Sequence, residues 1–343
     1  MTEENPFPEM PPTPAEPWAP TYDAQTRAGL IQQIHETADK LESEQAALGD
    51  LKIMTRALRE LRYAFKVYAP YRNRKKITVF GSARTRPEQP DYQVAIELGR
   101  RFAQAGWMVV TGAGGGIMQA ANEGATREHS MGLNIRLPFE QSANPVIAGD
   151  SKLVTFRYFF TRKLMFAKEV DAIALFPGGF GTMDELFELL TLVQTGKRDL
   201  LPIVLIDHPG GGYWKSWLAF VEEHLLLRGL ISPSDLSLFH IAANTEDAVR
   251  EVLQFYKVYH SMRFVRERLV LRLQRDISDE LLERLNRDFS DILTSGKIER
   301  VEPHAHEADE PVTLDLPRLR LHFNRRDAGR LRQLVTALNR SAG

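Results

Sequence analysis

The chain contains no cysteine among its 343 residues. Disulfide staples, thiolate metal sites and a cysteine nucleophile are therefore excluded. It also lacks an excess of either charge: 44 Lys and Arg face 45 Asp and Glu, a formal net charge of −1. So balanced a chain has no global electrostatic reason to bind nucleic acid or an anionic membrane. No apolar run is long enough to span a bilayer. The N-terminus is acidic and proline-rich, without the basic-then-apolar order of a secretory signal. These absences predict a cytoplasmic protein. The remaining composition, 43% hydrophobic and 26% charged, is that of an ordinary soluble chain.

What is present divides into four parts. Residues 1–22 carry Pro6, Pro8, Pro11, Pro12, Pro14, Pro17 and Pro20 and predict an extended or disordered tail. Residues 23–72 place Leu30, Ile31, Ile34, Leu41, Leu51, Met54, Leu58, Leu61 and Phe65 at helical spacings, with Gly49-Asp50 as the expected break between two helices. Residues 73–260 alternate short apolar runs with amphipathic segments. That alternation predicts an α/β domain, a Rossmann-like doubly wound parallel sheet with helices on both faces. Within it, residues 213–227 read as one helix, and Thr245 as the cap of the next. Residues 261–343 read β-α-β-β-α, with Ser278 capping the first helix, and predict a small ferredoxin-like α+β module. Inside that module His304-Ala305-His306 offers two metal-ligating side chains in an acidic stretch, residues 302–311, which reads more simply as a solvated linker.

Two glycine turns carry the chemistry. The first follows the run Ile77-Thr78-Val79-Phe80-Gly81-Ser82 and a second strand, and comprises Gly112-Ala113-Gly114-Gly115-Gly116. It lacks the Lys-Ser/Thr ending of a Walker loop and is not a clean GxGxxG, so neither nucleoside triphosphate hydrolysis nor an ordinary dinucleotide site is supported. The second is Pro177-Gly178-Gly179-Phe180-Gly181-Thr182-Met183-Asp184-Glu185, entered from the apolar run at 172–176 and left by a helical segment. Glycines there let backbone approach a ligand closely. The helix start adds unpaired N–H groups and a positive dipole end, which suit a phosphate. Glu185 falls about one helical turn beyond Thr182, so its carboxylate can face what the turn holds.

With Arg162-Lys163 on the preceding helical segment, these residues resemble the LOG family, long labelled lysine decarboxylases. The family signature PGGxGTxxE is matched in full from Pro177 to Glu185, and the upstream glycine loop ending in Met matches residues 112–118. The likeness covers about residues 75–258, and the stretches LNIRLP, FFTRK and LTLVQTGK resemble a longer bacterial branch. Short members often carry Met-His-Glu-Arg-Lys where this chain has Phe159-Phe160-Thr161-Arg162-Lys163.

The resemblance implies hydrolysis of the N-glycosidic bond of a purine nucleoside 5'-monophosphate, AMP or an N6-substituted AMP, to free base and ribose 5-phosphate. Arg162 and Glu185 would be the catalytic pair. The backbone of Gly178, Gly179, Gly181 and Thr182 would hold the phosphate. Lys163, Asp184, Glu140 and Thr191 are carried over as further ligands, and Ser82, Gly114 and Gly115 complete the expected substrate-binding set. No metal or organic cofactor is called for, and a homodimer or larger homo-oligomer is implied. Two other readings stand beside this one. A nucleotide sensor or carrier would bind without hydrolysis, but would have no need of Glu185. Lysine decarboxylation would require a pyridoxal phosphate lysine, for which no motif is present. The blandest reading leaves PGGFGT as a plain tight turn, with Arg162 merely paired to Glu169 or Asp171.

Overall fold

The computed structural model describes residues 26–137, 142–307 and 310–340. The proline-rich tail and Glu140 lie outside the described residues. The chain forms two compact units, Met1–Leu58 and Arg59–Gly343.

The first unit holds helix α1 (Arg27–Ser43) and the start of α2 (Leu48–Tyr68). Thr26 caps α1, its hydroxyl accepting from the Gly29 N–H at 3.0 Å. The break between the helices falls at residues 44–47, not at Gly49-Asp50, which sit inside α2. The reason is a Schellman turn: Ala46 N–H donates to the Leu41 carbonyl and Gln45 N–H to that of Glu42, with Gln45 at φ 56°. Glutamine, rather than glycine, occupies the left-handed position, so the sequence carries no visible stop signal there.

The second unit is built on seven parallel strands: β1 (Lys76–Phe80), β2 (Met108–Thr111), β3 (Ser130–Ile135), β4 (Leu153–Phe156), β5 (Ala172–Leu175), β6 (Ile203–Leu205) and β7 (His240–Ile241). Their spatial order is β4-β3-β2-β1-β5-β6-β7. Strand side chains alternate between faces. Ile77, Val79, Val109, Ala172, Ala174 and Val204 point to one side, where α3 (Pro90–Gln104), α4 (Ile117–His129) and α8 (Thr245–Phe255) cover them. Phe80, Met108, Val110, Ile173, Leu175 and Leu205 point to the other, against α5 (Phe159–Glu169), α6 (Phe180–Gln194) and α7 (Tyr213–Phe220). The expected doubly wound sheet with helices on both faces is thus present. After β4 the chain crosses back to lay β5 beside β1. The turns after β1, β2 and β5 therefore meet at one edge, the topological switch point where ligands of such sheets bind.

Local readings differ in places. The single helix expected over 213–227 passes at Val221 into a π-helical segment, Val221–Leu226. The cap of α8 is Asn244, whose side chain accepts from the Asp247 N–H at 2.9 Å, while Thr245 is already helical.

The C-terminal part runs β8 (Tyr259–Val265), β9 (Arg268–Leu273), α9 (Asp279–Asp288), β10 (Glu299–Arg300), β11 (Arg318–Leu321) and α10 (Ala328–Arg340). Ser278 caps α9 as expected, accepting from the Leu281 N–H at 3.3 Å. The order is β-β-α-β-β-α in one antiparallel sheet, β10-β11-β9-β8, which corrects the ferredoxin-like reading: no split βαβ unit is formed. The strand missed is β8. It lies at the sheet edge, is bulged between Tyr259 and Ser261, and shows no alternation of burial. Leu331, Leu334, Val335 and Leu338 of α10 belong to the same core as the parallel sheet, and the Asn339 side chain accepts from the N–H groups of Val258 and Tyr259 at 2.8 and 3.1 Å.

Residues 302–305 of the acidic stretch are exposed, in keeping with a solvated segment, but Glu307 departs from it. Glu307 is buried, bonded by Arg272 Nε and Nη2 at 3.0 and 2.8 Å and facing Arg318 Nε at 3.4 Å. Burial works against its charge, but these guanidinium bonds outweigh it and hold the carboxyl below its usual range.

Candidate active site

The turn after β5 sits at the start of α6. Pro177 accepts from the Ser82 N–H at 3.1 Å, which ties the β5 turn to the β1 turn, and the Ser82 carbonyl accepts from Ile117 N–H at 3.1 Å, which ties both to α4. Gly178 is required by this closeness: a Cβ there would clash with the Thr182 side chain and lie 3.2 Å from the Ser82 nitrogen. Gly116 is required as well. It stands at φ 61°, and a Cβ would strike the Ser82 carbonyl. Tyr213, at the start of α7, donates its hydroxyl to the Gly178 carbonyl at 2.5 Å.

Helix α6 starts at Phe180, inside the motif, earlier than the apolar run beginning at Leu186 suggests. Thr182 N–H donates to the Gly179 carbonyl at 3.0 Å and Met183 N–H to the same oxygen at 3.2 Å. The N–H groups of Gly179, Phe180 and Gly181 then remain as the first-turn donors that a helix cannot bond internally. Of the expected N–H donors, that of Thr182 is thus bonded within the turn, and Phe180 N–H stands beside those of Gly179 and Gly181.

Glu185, one turn further, is 6% exposed. Burial pushes its carboxyl up to about 7, against the pull of Lys163 and Arg162. Arg162, half-buried on α5, lies across the rings of Phe166 and Phe159, its guanidinium carbon 5.3 and 5.8 Å from their centres. It reaches under the β2 turn, where its Nη2 comes within 3.2 Å of the Cβ position on Gly112. Its Nε is buried and has no hydrogen-bond partner among the described residues. Burial lowers the Arg162 pKa and Glu185 raises it. The bland pairing fails: Asp171 bonds Lys75 at 2.8 Å and Glu169 bonds Lys168 at 2.5 Å.

The other expected ligands divide. Lys163 bridges Asp184 at 2.9 Å and also Glu188, linking α5 to α6. Burial opposes its charge, and the bonds to Glu188 and Asp184 raise its pKa regardless. Lys163 and Asp184 are thus partners of each other rather than free ligands. Thr191 stands roughly 9 Å beyond Glu185 along the helix, exposed, its hydroxyl donating to the Phe187 carbonyl at 2.7 Å; the structure does not bring it to the turn. A Cβ added at Gly115 would lie 3.5 Å from the Ala83 carbonyl oxygen, an ordinary contact. The Gly114 carbonyl accepts from Asn144 Nδ2 at 3.1 Å. That asparagine also bonds Asn122 Oδ1 at 3.0 Å, which in turn accepts from the Thr111 hydroxyl at 2.8 Å. This brace, with Tyr213, is what sequence reasoning missed. Its only sequence signal was the polar composition of the loop at 139–145.

The arrangement can hold an anion at the start of α6 and present beside it a carboxyl pushed up to about 7 and a half-buried guanidinium. A family profile described as possible lysine decarboxylase matches residues 118–252. A cytokinin riboside 5'-monophosphate phosphoribohydrolase of Arabidopsis thaliana is 30% identical over 188 residues, covering 53% of this chain and 82% of that one. Its namesake from Mycobacterium tuberculosis is 30% identical over 170 residues, covering 46% and 83%. Among solved structures, the molybdenum cofactor carrier protein of Chlamydomonas reinhardtii is 23% identical over 53% of this chain and 98% of that one, at a TM-score of 0.38. The match to relatives over most of their length shows that this chain belongs to the LOG family.

Proposed function

We propose that the protein hydrolyses the N-glycosidic bond of a purine nucleoside 5'-monophosphate, AMP or an N6-substituted AMP, releasing the free base and ribose 5-phosphate. The observation that carries this is the position of Glu185: buried, one turn past an anion-binding helix start, and opposite Arg162. The curated relatives are named for the same bond in cytokinin riboside monophosphates.

The N–H groups of Gly179, Phe180 and Gly181, with the positive end of α6, bind the 5'-phosphate. That anchor fixes the ribose beside Glu185. As the C1'–N bond breaks, positive charge develops on the sugar, and a carboxylate next to it stabilises that charge. Glu185 also orients water and takes its proton as the oxygen bonds to C1'. The bonding electrons leave with the base, whose developing negative charge Arg162 stabilises. Arginine suits the task because it stays charged when buried and offers several directed donors. The same reading implies a homodimer. Phe159, Phe160 and Leu164 of α5 and Phe180 and Phe187 of α6 are exposed apolar side chains, Phe180 at 97%.

The test is release of base from a panel of purine and pyrimidine monophosphates, separated by chromatography. Adenine or an N6-substituted adenine should appear with wild-type protein and vanish in Glu185→Ala, while that variant still binds nucleotide. Tight binding without release of any base would instead make the chain a nucleotide carrier.

A further inference from the structure

Helix α5 carries Arg162 in its first turn, yet that turn has no acidic or capping side chain of its own. Its N-cap residue, Tyr158, makes no side-chain capping bond, and its first turn contains no acidic residue. A helix start normally recruits a carboxylate or hydroxyl to serve its free N–H groups and complement its dipole. Thr161 is the third residue of the helix, the position from which a glutamate would reach back in a capping box.

Here a carboxylate arrives from elsewhere in the chain. Glu60, on the second half of α2, is buried. Its Oε1 accepts from the Arg157 N–H at 2.9 Å, just before α5. Its Oε2 accepts from the Thr161 hydroxyl at 2.8 Å, where that single proton can also turn to the Tyr158 carbonyl at 3.0 Å. Thr161 is itself 1% exposed, so this contact is shielded from water. Around it, Ala64 and Tyr68 bury the same end of α2 in the core that holds Met165 and Phe166 of α5.

We infer that Glu60 is a positioning residue for Arg162: it supplies from α2 the carboxylate that the first turn of α5 lacks, and so fixes that turn. The inference rests on the proposed hydrolase reading only for its effect on rate; its structural part stands apart from it. Among the described residues the Arg162 Nε has no hydrogen-bond partner, and its guanidinium rests on the rings of Phe159 and Phe166, both on α5 itself. Its placement therefore follows the helix. Neither of these two Glu60 bonds goes to α6, where the proposed phosphate cradle lies.

The experiment uses the full chain with Glu60→Ala, Thr161→Glu and the double variant. Turnover of the preferred monophosphate is measured alongside amide hydrogen exchange of residues 159–166. Glu60→Ala should lower kcat by roughly ten- to a hundredfold, the scale of a small misplacement of a catalytic group. Its KM should stay within about threefold, because the cradle is untouched. Exchange at the start of α5 should rise by roughly tenfold or more, with α6 unchanged. Thr161→Glu alone sets two carboxylates face to face and should be impaired. Combined with Glu60→Ala it places the acid on α5 and should recover kcat to within about fivefold of wild type, a strong non-additivity. Leu285→Ala, which truncates a core residue of α9 itself, serves as a control of reduced stability without this effect.

Wild-type kcat and wild-type exchange in Glu60→Ala would overturn the inference. So would a loss equal to that of Leu285→Ala at a matched melting temperature, or a loss that Thr161→Glu does not repair. If wild-type protein cleaves no monophosphate, the hydrolase reading fails. The exchange of α5 then still decides the role of Glu60.

Discussion

Glu185 shows at the residue scale how function and stability oppose each other in this fold. Its carboxyl is displaced from 4.5 to about 7, mainly because α6 holds it out of water. The folded value lies above the unfolded one. The native state therefore binds more protons between these two values, and stability falls as pH rises through that window. Glu185→Gln removes the buried charge, so at pH 8 it is expected to stabilise the protein by on the order of 2–3 kcal/mol, read as a rise in melting temperature while base release is lost. A lower melting temperature would show that the charge is solvated or paired more fully than this geometry describes. The same displacement sets the pH dependence of rate. Catalysis needs the carboxylate, so kcat/KM should fall tenfold per unit as pH drops below about 7; a profile flat down to pH 5 would remove Glu185 from the role of base.

At the scale of elements, the site is a junction of three turns rather than one motif. Tyr213 fastens the β5 turn through the Gly178 carbonyl, and one such bond contributes on the order of 0.5–1.5 kcal/mol. Tyr213→Phe should therefore raise KM for a monophosphate by about three- to tenfold with a smaller change in kcat, and steady-state kinetics decides it: unchanged KM would mean the turn holds its shape without this bond. This is also where sequence and structure part company. The placement of the glycine turn, Glu185 and Arg162 on turn and helices was legible because each lies in a short stretch whose spacing maps directly onto strand, turn and helix. The alternation of strand and helix over 73–260 fixed the sheet for the same reason. Tyr213, Asn144 and Glu60 were not legible, because their partners lie 35, 30 and 101 positions away and only the folded topology joins them. Lys163 and Asp184 were visible as charges, but the sequence could not say that they neutralise each other. The edge strand β8 and the buried Glu307 were missed on similar grounds. An irregular, half-buried strand has no period, and an acidic stretch looks solvated until the arginines that meet it, Arg272 and Arg318, are brought in from other strands.

For the whole molecule, the parallel sheet sets the site at its switch point, and the C-terminal sheet shares the core through α10. Among the described residues no helix is long and apolar enough to cross a membrane. The exposed aromatic face on α5 and α6 leaves a surface that a second copy would cover, as the proposed homodimer requires. Analytical ultracentrifugation should show a dimer at micromolar concentration, and Phe160→Glu combined with Leu164→Glu should shift it toward monomer; a wild-type chain that sediments as a monomer would refute that assembly. The central claim is that the start of α6 anchors a 5'-phosphate so that Glu185 can act on the sugar. Its most direct measurement compares the release of adenine from AMP and from adenosine under identical conditions. Binding energy from the phosphate is used at the reacting carbon, so AMP should be cleaved roughly a hundredfold faster or more. Equal rates from the two substrates, or no adenine from either AMP or an N6-substituted AMP, would contradict the account.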